Sequence, residues 1–276
     1  MAAKRPLRLV LLWHMHQPDF RDLASGEFAH PWVYLHAIKD YTDMAAHLES
    51  HPQVHAVVNL VPVLLDQLED YSDQFGNGRI RDPLLRLLAQ EDLERASTAE
   101  RELILHQCFR ANHAKMIEPY TPYKRLRDLY QSVIALGGEP AHYLSGGYLA
   151  DLLTWYHLAW MGETVRRKEE CVVQLMTRGQ HFTHADRMRV FDLIGQLIRD
   201  IIPPTVGLPN RGVSSFPPRR TIIRSARCCS ISAPPVRPPR MRRSRRRAIT
   251  PAGARGSSGI SPARSTAIVA ASAPTH

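Results

Sequence analysis

The last 73 residues of this 276-residue chain contain no aspartate, no glutamate and no lysine. In their place residues 204–276 hold 14 Arg, 11 Pro and 11 Ser. All 26 acidic residues fall in 1–203, against 22 Lys and Arg there, a net charge of −4. The chain's pI of 9.8 is therefore a property of the tail and excludes nothing about the first part. Cysteine is scarce: Cys108, Cys171, Cys228 and Cys229, with no CxxC pair. That excludes a zinc ribbon or a disulfide framework and suits a reducing cytoplasm. No apolar run reaches the roughly 18 residues a membrane span needs. Leu7–Trp13 follows Lys4 and Arg5 in the manner of a secretory signal. It is too short, however, and no small-residue cleavage site comes after it. A cytoplasmic protein is expected. No internal repeat is present.

Residues 1–203 read as globular. Leu7–Trp13, bounded by Pro6, is a nearly continuous apolar run, the pattern of a strand buried on both faces. Val33, Leu35, Ile38, Met44 and Leu48 recur at helical spacing across Trp32–Ser50, and Pro52 ends that helix. Val54–Val61 reads as a second buried strand. Pro62 suits the first turn of a helix over Val63–Tyr71. The order β-α-β-α points to an α/β sheet or barrel. The middle of the chain is mostly helical. Ser97 and Glu100 have the form of a capping box, opening a helix to about Ile117. Pro119, Pro122 and Gly137-Gly138 punctuate the next stretch. Tyr148–Gly162 is a helix rich in aromatics. Thr183 and Asp186 offer another cap, for a helix reaching about Ile202 and stopped by Pro203-Pro204. Beyond that, periodicity is lost. Runs such as Arg242-Arg243-Ser244-Arg245-Arg246-Arg247 have the composition of a disordered tail.

The first strand leads into Trp13-His14-Met15-His16-Gln17-Pro18-Asp19-Phe20. Residues just past a strand's C-terminal end line the ligand site in α/β folds. Two imidazoles and an amide suit hydrogen bonds to hydroxyls, and Trp13 offers a flat face to a sugar ring. Two histidines one residue apart also suit a metal, for which neutral imidazole is the commonest ligand. The residues leave three readings open: sugar contact, metal ligation, and a purely structural role.

Trp13–Pro18 resembles the first signature region of glycoside hydrolase family 57, the HQP motif at the end of its first barrel strand. His30-Pro-Trp32, His36 and Lys39-Asp-Tyr41 are similar to the family's segment after that loop. Asn59-Leu-Val-Pro62, Leu64-Leu65 and Gln67-Leu68 are similar to its second strand and helix. Trp155-Tyr-His-Leu-Ala-Trp160 resembles a tryptophan-rich helix of the amylase/mannosidase-like branch. Phe182-Thr183 and Ile201-Ile202-Pro203 fit the same branch. This ordered series covers essentially all of 1–203. The resemblance implies an incomplete (β/α)7 barrel, its N-terminal portion with a helix-rich insertion, followed by a disordered tail over 204–276. It implies action on α-glucans by a retaining mechanism, which requires two carboxylates. In the family both come after the region covered here, so no catalytic role falls on any residue of this chain. No cofactor or metal is implied.

The role that carries over is the substrate-binding one of the HQP histidine, onto His16, with His14 and Gln17 beside it. Trp160 is a candidate for stacking on sugar, with a buried packing role as its rival. His157 stands where the branch more often has Asn. The expected partner is α-glucan or maltooligosaccharide, weakly bound, with no membrane and no specific nucleic acid. A partial barrel with an open edge is expected to be poorly stable.

The tail yields to a test by the genetic code. Codons begun at each third base across Thr221–Ile231 allow Tyr-His-Pro-Ile-Arg-Pro-Leu-Leu-Leu-Asp, which resembles the family's next signature segment. The same shift over Thr205–Asn210 allows Tyr-Arg-Arg-Leu-Ala-Glu, a fitting continuation of the helix. A one-base deletion near codon 204, with everything after it out of frame, is the expectation. Two rivals remain. One is a metal-dependent carbohydrate-active enzyme with His14 and His16 as ligands, for which Asp19 and His30 are available at no defensible spacing. The other is a basic arm whose arginines bind nucleic-acid phosphates.

Overall fold

The computed structural model describes residues 9–202. The disordered-tail, basic-arm and reading-frame expectations for 204–276 lie outside these residues. Strands β1 (Leu11–Met15) and β2 (Ala56–Leu60) pair in parallel, from Leu11 against Ala56 to Met15 against Leu60. The crossover between them is helical, as a parallel pair requires. It consists of α1 (Trp32–His36), a π-helical stretch over Ala37–Tyr41 and α2 (Thr42–Ser50). The expected Trp32–Ser50 helix is thus present with one loosened turn. The Thr42 hydroxyl donates to the Ala37 carbonyl at 2.8 Å within it.

The expectation of strands buried on both faces is corrected. Trp13, Met15, Val58 and Leu60 share one face and pack onto the core. Leu12, His14, Val57 and Asn59 share the other, where Leu12 is 63% and Val57 52% exposed. Among the described residues the sheet has two strands, and one of its faces meets the core. An unbroken apolar run therefore does not mean two covered faces here. The strand also ends later than the apolar run, at Met15, so His14 lies within it and only His16 past its end.

Helix α3 (Pro62–Asn77) starts at its proline, runs on past Tyr71 and closes at Gly78, whose φ of +70° is the left-handed conformation that ends helices. Helix α4 (Pro83–Ala89) is capped by Asp82, and a short 3₁₀ turn comes next at Leu93–Arg95. Helix α5 (Thr98–Cys108) opens with the expected capping box of Ser97 and Glu100 but stops well before Ile117. Asn112 interrupts it by accepting the Lys115 N–H and starting a separate π turn, His113–Ile117. Then come α6 (Thr121–Ala135), α7 (Pro140–Tyr143), α8 (Gly146–Trp160), α9 (Glu163–Lys168) and α10 (Glu170–Arg178). Last is α11 (His184–Ile201), opened by the expected capping box of Thr183 and Asp186.

Helix α8 is the centre of the core. Of its residues only Gly147 is not buried, and a helix apolar all round belongs inside. It packs against α5, α6 and α11. Trp155 donates its indole N–H to the Gly179 carbonyl at 2.7 Å and lies among the rings of Tyr120, Tyr123 and Phe182. The Asp151 carboxylate of α8 accepts the N–H groups of His181 and Phe182 at 3.0 and 2.8 Å, fixing the turn into α11. At Gly195 a Cβ would meet the Phe75 ring at 2.7 Å, so glycine lets α11 and α3 approach closely. Among the described residues no helix is long and apolar enough to cross a membrane.

Candidate functional site

Alternation along β1 puts His14 on the open face of the sheet, and His16 continues that face past the strand's end. Both are exposed. Their rings lie 6.0 Å apart and within 9° of parallel. Asn59, the partner of His14 in register, donates its amide N–H to His14 Nδ1 at 3.0 Å. The proton of neutral His14 therefore sits on Nε2. The patch presents ring edges and an amide to solvent, groups that both donate to and accept from hydroxyls.

The loop after His16 is anchored by a residue not singled out as a site residue from sequence. Gln67, fully buried on α3, accepts the Phe20 N–H at 3.0 Å and donates to the Pro18 carbonyl at 2.9 Å. Its signal is an amide standing on the apolar stripe of Leu64, Leu68 and Tyr71. Arg21 adds ion pairs to Asp19 at 2.8 Å and to Asp70 at 3.3 Å.

Gln17 leaves the histidine patch and donates to the Tyr41 hydroxyl at 3.4 Å, on the π stretch. Trp160 is 7% exposed. It packs edge-on against His36 with centroids 5.8 Å apart, near Trp32 at 5.9 Å, with the Lys39 ammonium 5.7 Å from its ring. The structure thus brings His14 and His16 together, while Gln17 and Trp160 join a neighbouring cluster built on Tyr41 and His36.

The acids around this region are committed. Asp19 is held by Arg21 and Asp70 by Arg21 and Arg81. Asp40 is held by His36 and Lys39, whose hydrogen bonds keep its carboxyl below the usual carboxylate range. Among the described residues no three His, Cys, Asp or Glu side chains gather as a metal ion requires. The reading of His14 and His16 as ligands finds no further donors there. His30 instead packs edge-on against Phe20, centroids 5.6 Å apart.

His157 has a core role. It is fully buried, donates from Nδ1 to the Leu153 carbonyl at 2.7 Å and accepts the Tyr34 hydroxyl at Nε2, 3.0 Å away. Burial pushes its pKa down to about 4, so it is neutral at pH 7. Asp82 is the opposite case. Its carboxyl caps α4, accepts the Tyr71 hydroxyl at 2.7 Å, and is pushed up to about 6 by burial. The two groups oppose each other in pH dependence. Asp82 holds a proton in the folded state that the unfolded chain has lost, so its contribution to stability falls as pH rises from about 4 to about 6. His157 refuses a proton the unfolded chain takes up, so stability falls as pH drops from about 6.5 towards about 4. Asp82→Asn keeps the shape and removes the first slope. Its melting temperature should therefore gain on that of the wild type as pH rises through that window. A difference that is constant with pH, read by thermal denaturation, would count against a buried, titrating Asp82.

A protein-family model described as glycosyl hydrolase family 57 matches residues 10–200. No curated protein and no solved structure matches the chain.

Proposed function

The chain belongs to glycosyl hydrolase family 57, a family of carbohydrate-active enzymes with a barrel-like α/β fold, and from that premise we propose that it is the N-terminal part of a retaining α-glucan hydrolase or transferase lacking its catalytic carboxylates. The parallel β1–β2 pair with its helical crossover is compatible with an incomplete barrel. On this reading the full barrel is (β/α)7, and the 276-residue chain binds α-glucan weakly at the first-strand loop and turns nothing over. His16 makes the principal contact, with His14 beside it, and Gln17 is turned towards Tyr41. The absence of Asp and Glu after Asp200, and the shifted-frame reading of 205–231, support a lost reading frame.

The observation that carries the binding role is the aligned His14–His16 pair on the exposed sheet face, braced by Asn59 and by the Gln67 clamp on the loop. Maltotriose titrated into the full chain should perturb the imidazole resonances of His14 and His16. His16→Ala should weaken that binding by about tenfold or more, the scale of one or two lost hydrogen bonds. Unchanged affinity in His16→Ala, with the fold intact by circular dichroism, would remove His16 from the site.

A further inference from the structure

The sheet face turned away from the core is apolar where it meets water. Leu12 and Val57 are partners in register on it and are 63% and 52% exposed. Val10, 74% exposed, leads into the first strand, and Val54, 45% exposed, into the second. His14 and Asn59, the next pair on that face, close the patch with polar groups. Among the described residues no third strand pairs with either edge of the sheet. Single exposed apolar residues need no explanation, but a contiguous apolar patch rimmed by polar groups marks an interaction surface.

The charge pattern narrows the occupant. Residues 9–16 and 54–60 contain no Asp, Glu, Lys or Arg. Sheets that stay apart commonly carry such a charge, lysine above all, on an exposed strand. None guards these two. An arginine-rich segment finds no carboxylate there, which makes residues 204–276, with 14 Arg, a poor occupant. A strongly acidic or basic partner likewise gains nothing from the patch. An identical face meets it without an unpaired charge, and a two-fold contact between identical patches requires that self-complementarity. The direction of approach follows from the side chains. Edge-to-edge pairing would join backbones and leave Leu12 and Val57 in water. Face-to-face packing, with the sheets about 10 Å apart, buries both.

We propose that two copies of the chain associate through this face, Leu12 and Val57 of one sheet packing on the same two residues of the other about a two-fold axis. Such a contact closes at two copies, because each chain offers the face once. Its centre is aliphatic, and His14 and Asn59 form its polar rim, the usual division of an interface. A second copy seated there stands next to His14 and His16, so association and saccharide binding compete. The proposal does not rest on the carbohydrate reading, and its test contains no saccharide.

Sedimentation velocity of the full chain over about 1–100 μM should show monomer giving way to dimer. Leu12→Lys and Val57→Lys each place an unpaired charge in the contact, and each should raise its dissociation constant at least about tenfold. Both positions are exposed, so at the dilute end the melting temperature should stay that of wild type. Leu136→Lys, at an 88% exposed position off the sheet, should leave the dimer as it is. A chain that stays monomeric throughout would overturn the proposal, and so would a dimer unmoved by both sheet lysines. Growth beyond two copies would rule out the closed two-fold contact. A melting temperature lowered by both sheet lysines at the dilute end would mean that the face is already covered within one chain, and would overturn the proposal too.

Discussion

Incubated with amylose or maltooligosaccharides, the purified 276-residue chain is expected to release no product above the uncatalysed blank. Retention needs a nucleophile and an acid/base about 5–5.5 Å apart across one glycosidic bond. Several acids of the described residues are committed to structure. Asp151 binds two backbone N–H groups, Asp82 caps α4 inside the core, and Asp43 caps α9 through the Glu163 and Thr164 amides. Asp19, Asp40 and Asp70 are tied to basic partners. Enzymes of ordinary competence exceed the uncatalysed rate by at least about 10⁶-fold, so the expected deficit spans that whole factor. A reducing-sugar assay decides it. Steady turnover that vanishes in His16→Ala would mean that a working pair of carboxylates is present after all. Resequencing the gene around codon 204 is the companion measurement, and an undisturbed frame there would remove the deletion.

Changing Trp155 to Ala should have the largest effect on stability of any single substitution in α8. The side chain is 1% exposed, fills the space between Tyr120, Tyr123 and Phe182, and ties α8 to the turn at Gly179. Truncating a buried tryptophan costs about 3–5 kcal/mol, and the Gly179 carbonyl also loses its donor. Against a total of about 5–15 kcal/mol this removes a large share of the folding free energy. The urea midpoint should fall by more than about 1 M. Leu136→Ala, at an 88% exposed position, is the control and should stay within about 0.5 kcal/mol of wild type. A Trp155→Ala midpoint equal to that control would show that α8 is not the centre of the core.

The features legible in the sequence were mostly those decided locally. The boxes at Ser97 and Thr183 and the proline start at Pro62 are settled within one turn, and each stands where the residues put it. Helix ends decided by competition were harder. Asn112 takes the chain out of α5 by offering a new cap, and nothing in the apolar spacing of 98–117 announces that. Strand burial failed for a different reason. Leu9 to Leu12 and Ala56 to Val58 are apolar whichever face is covered, and coverage depends on partners distant in sequence. The two histidines were legible as neighbours because residues two apart on a strand share a face. The clamp by Gln67 was not, since it joins residues 49 apart through a backbone carbonyl. Trp160 shows the same limit, because a tryptophan on an aromatic helix reads alike whether its ring faces sugar or His36.

The loosened turn at Ala37–Tyr41 has a geometric effect beyond its own residues. A single extra residue in a helix turns everything downstream by about 100° about the axis. The crossover can thereby serve two directions that a straight rod would merge. Its first half holds His36 against Trp160, and its second half delivers the Asp43 carboxylate to the start of α9. Removing one residue from this turn would swing the second half out of phase and strand that carboxylate away from the amides it serves.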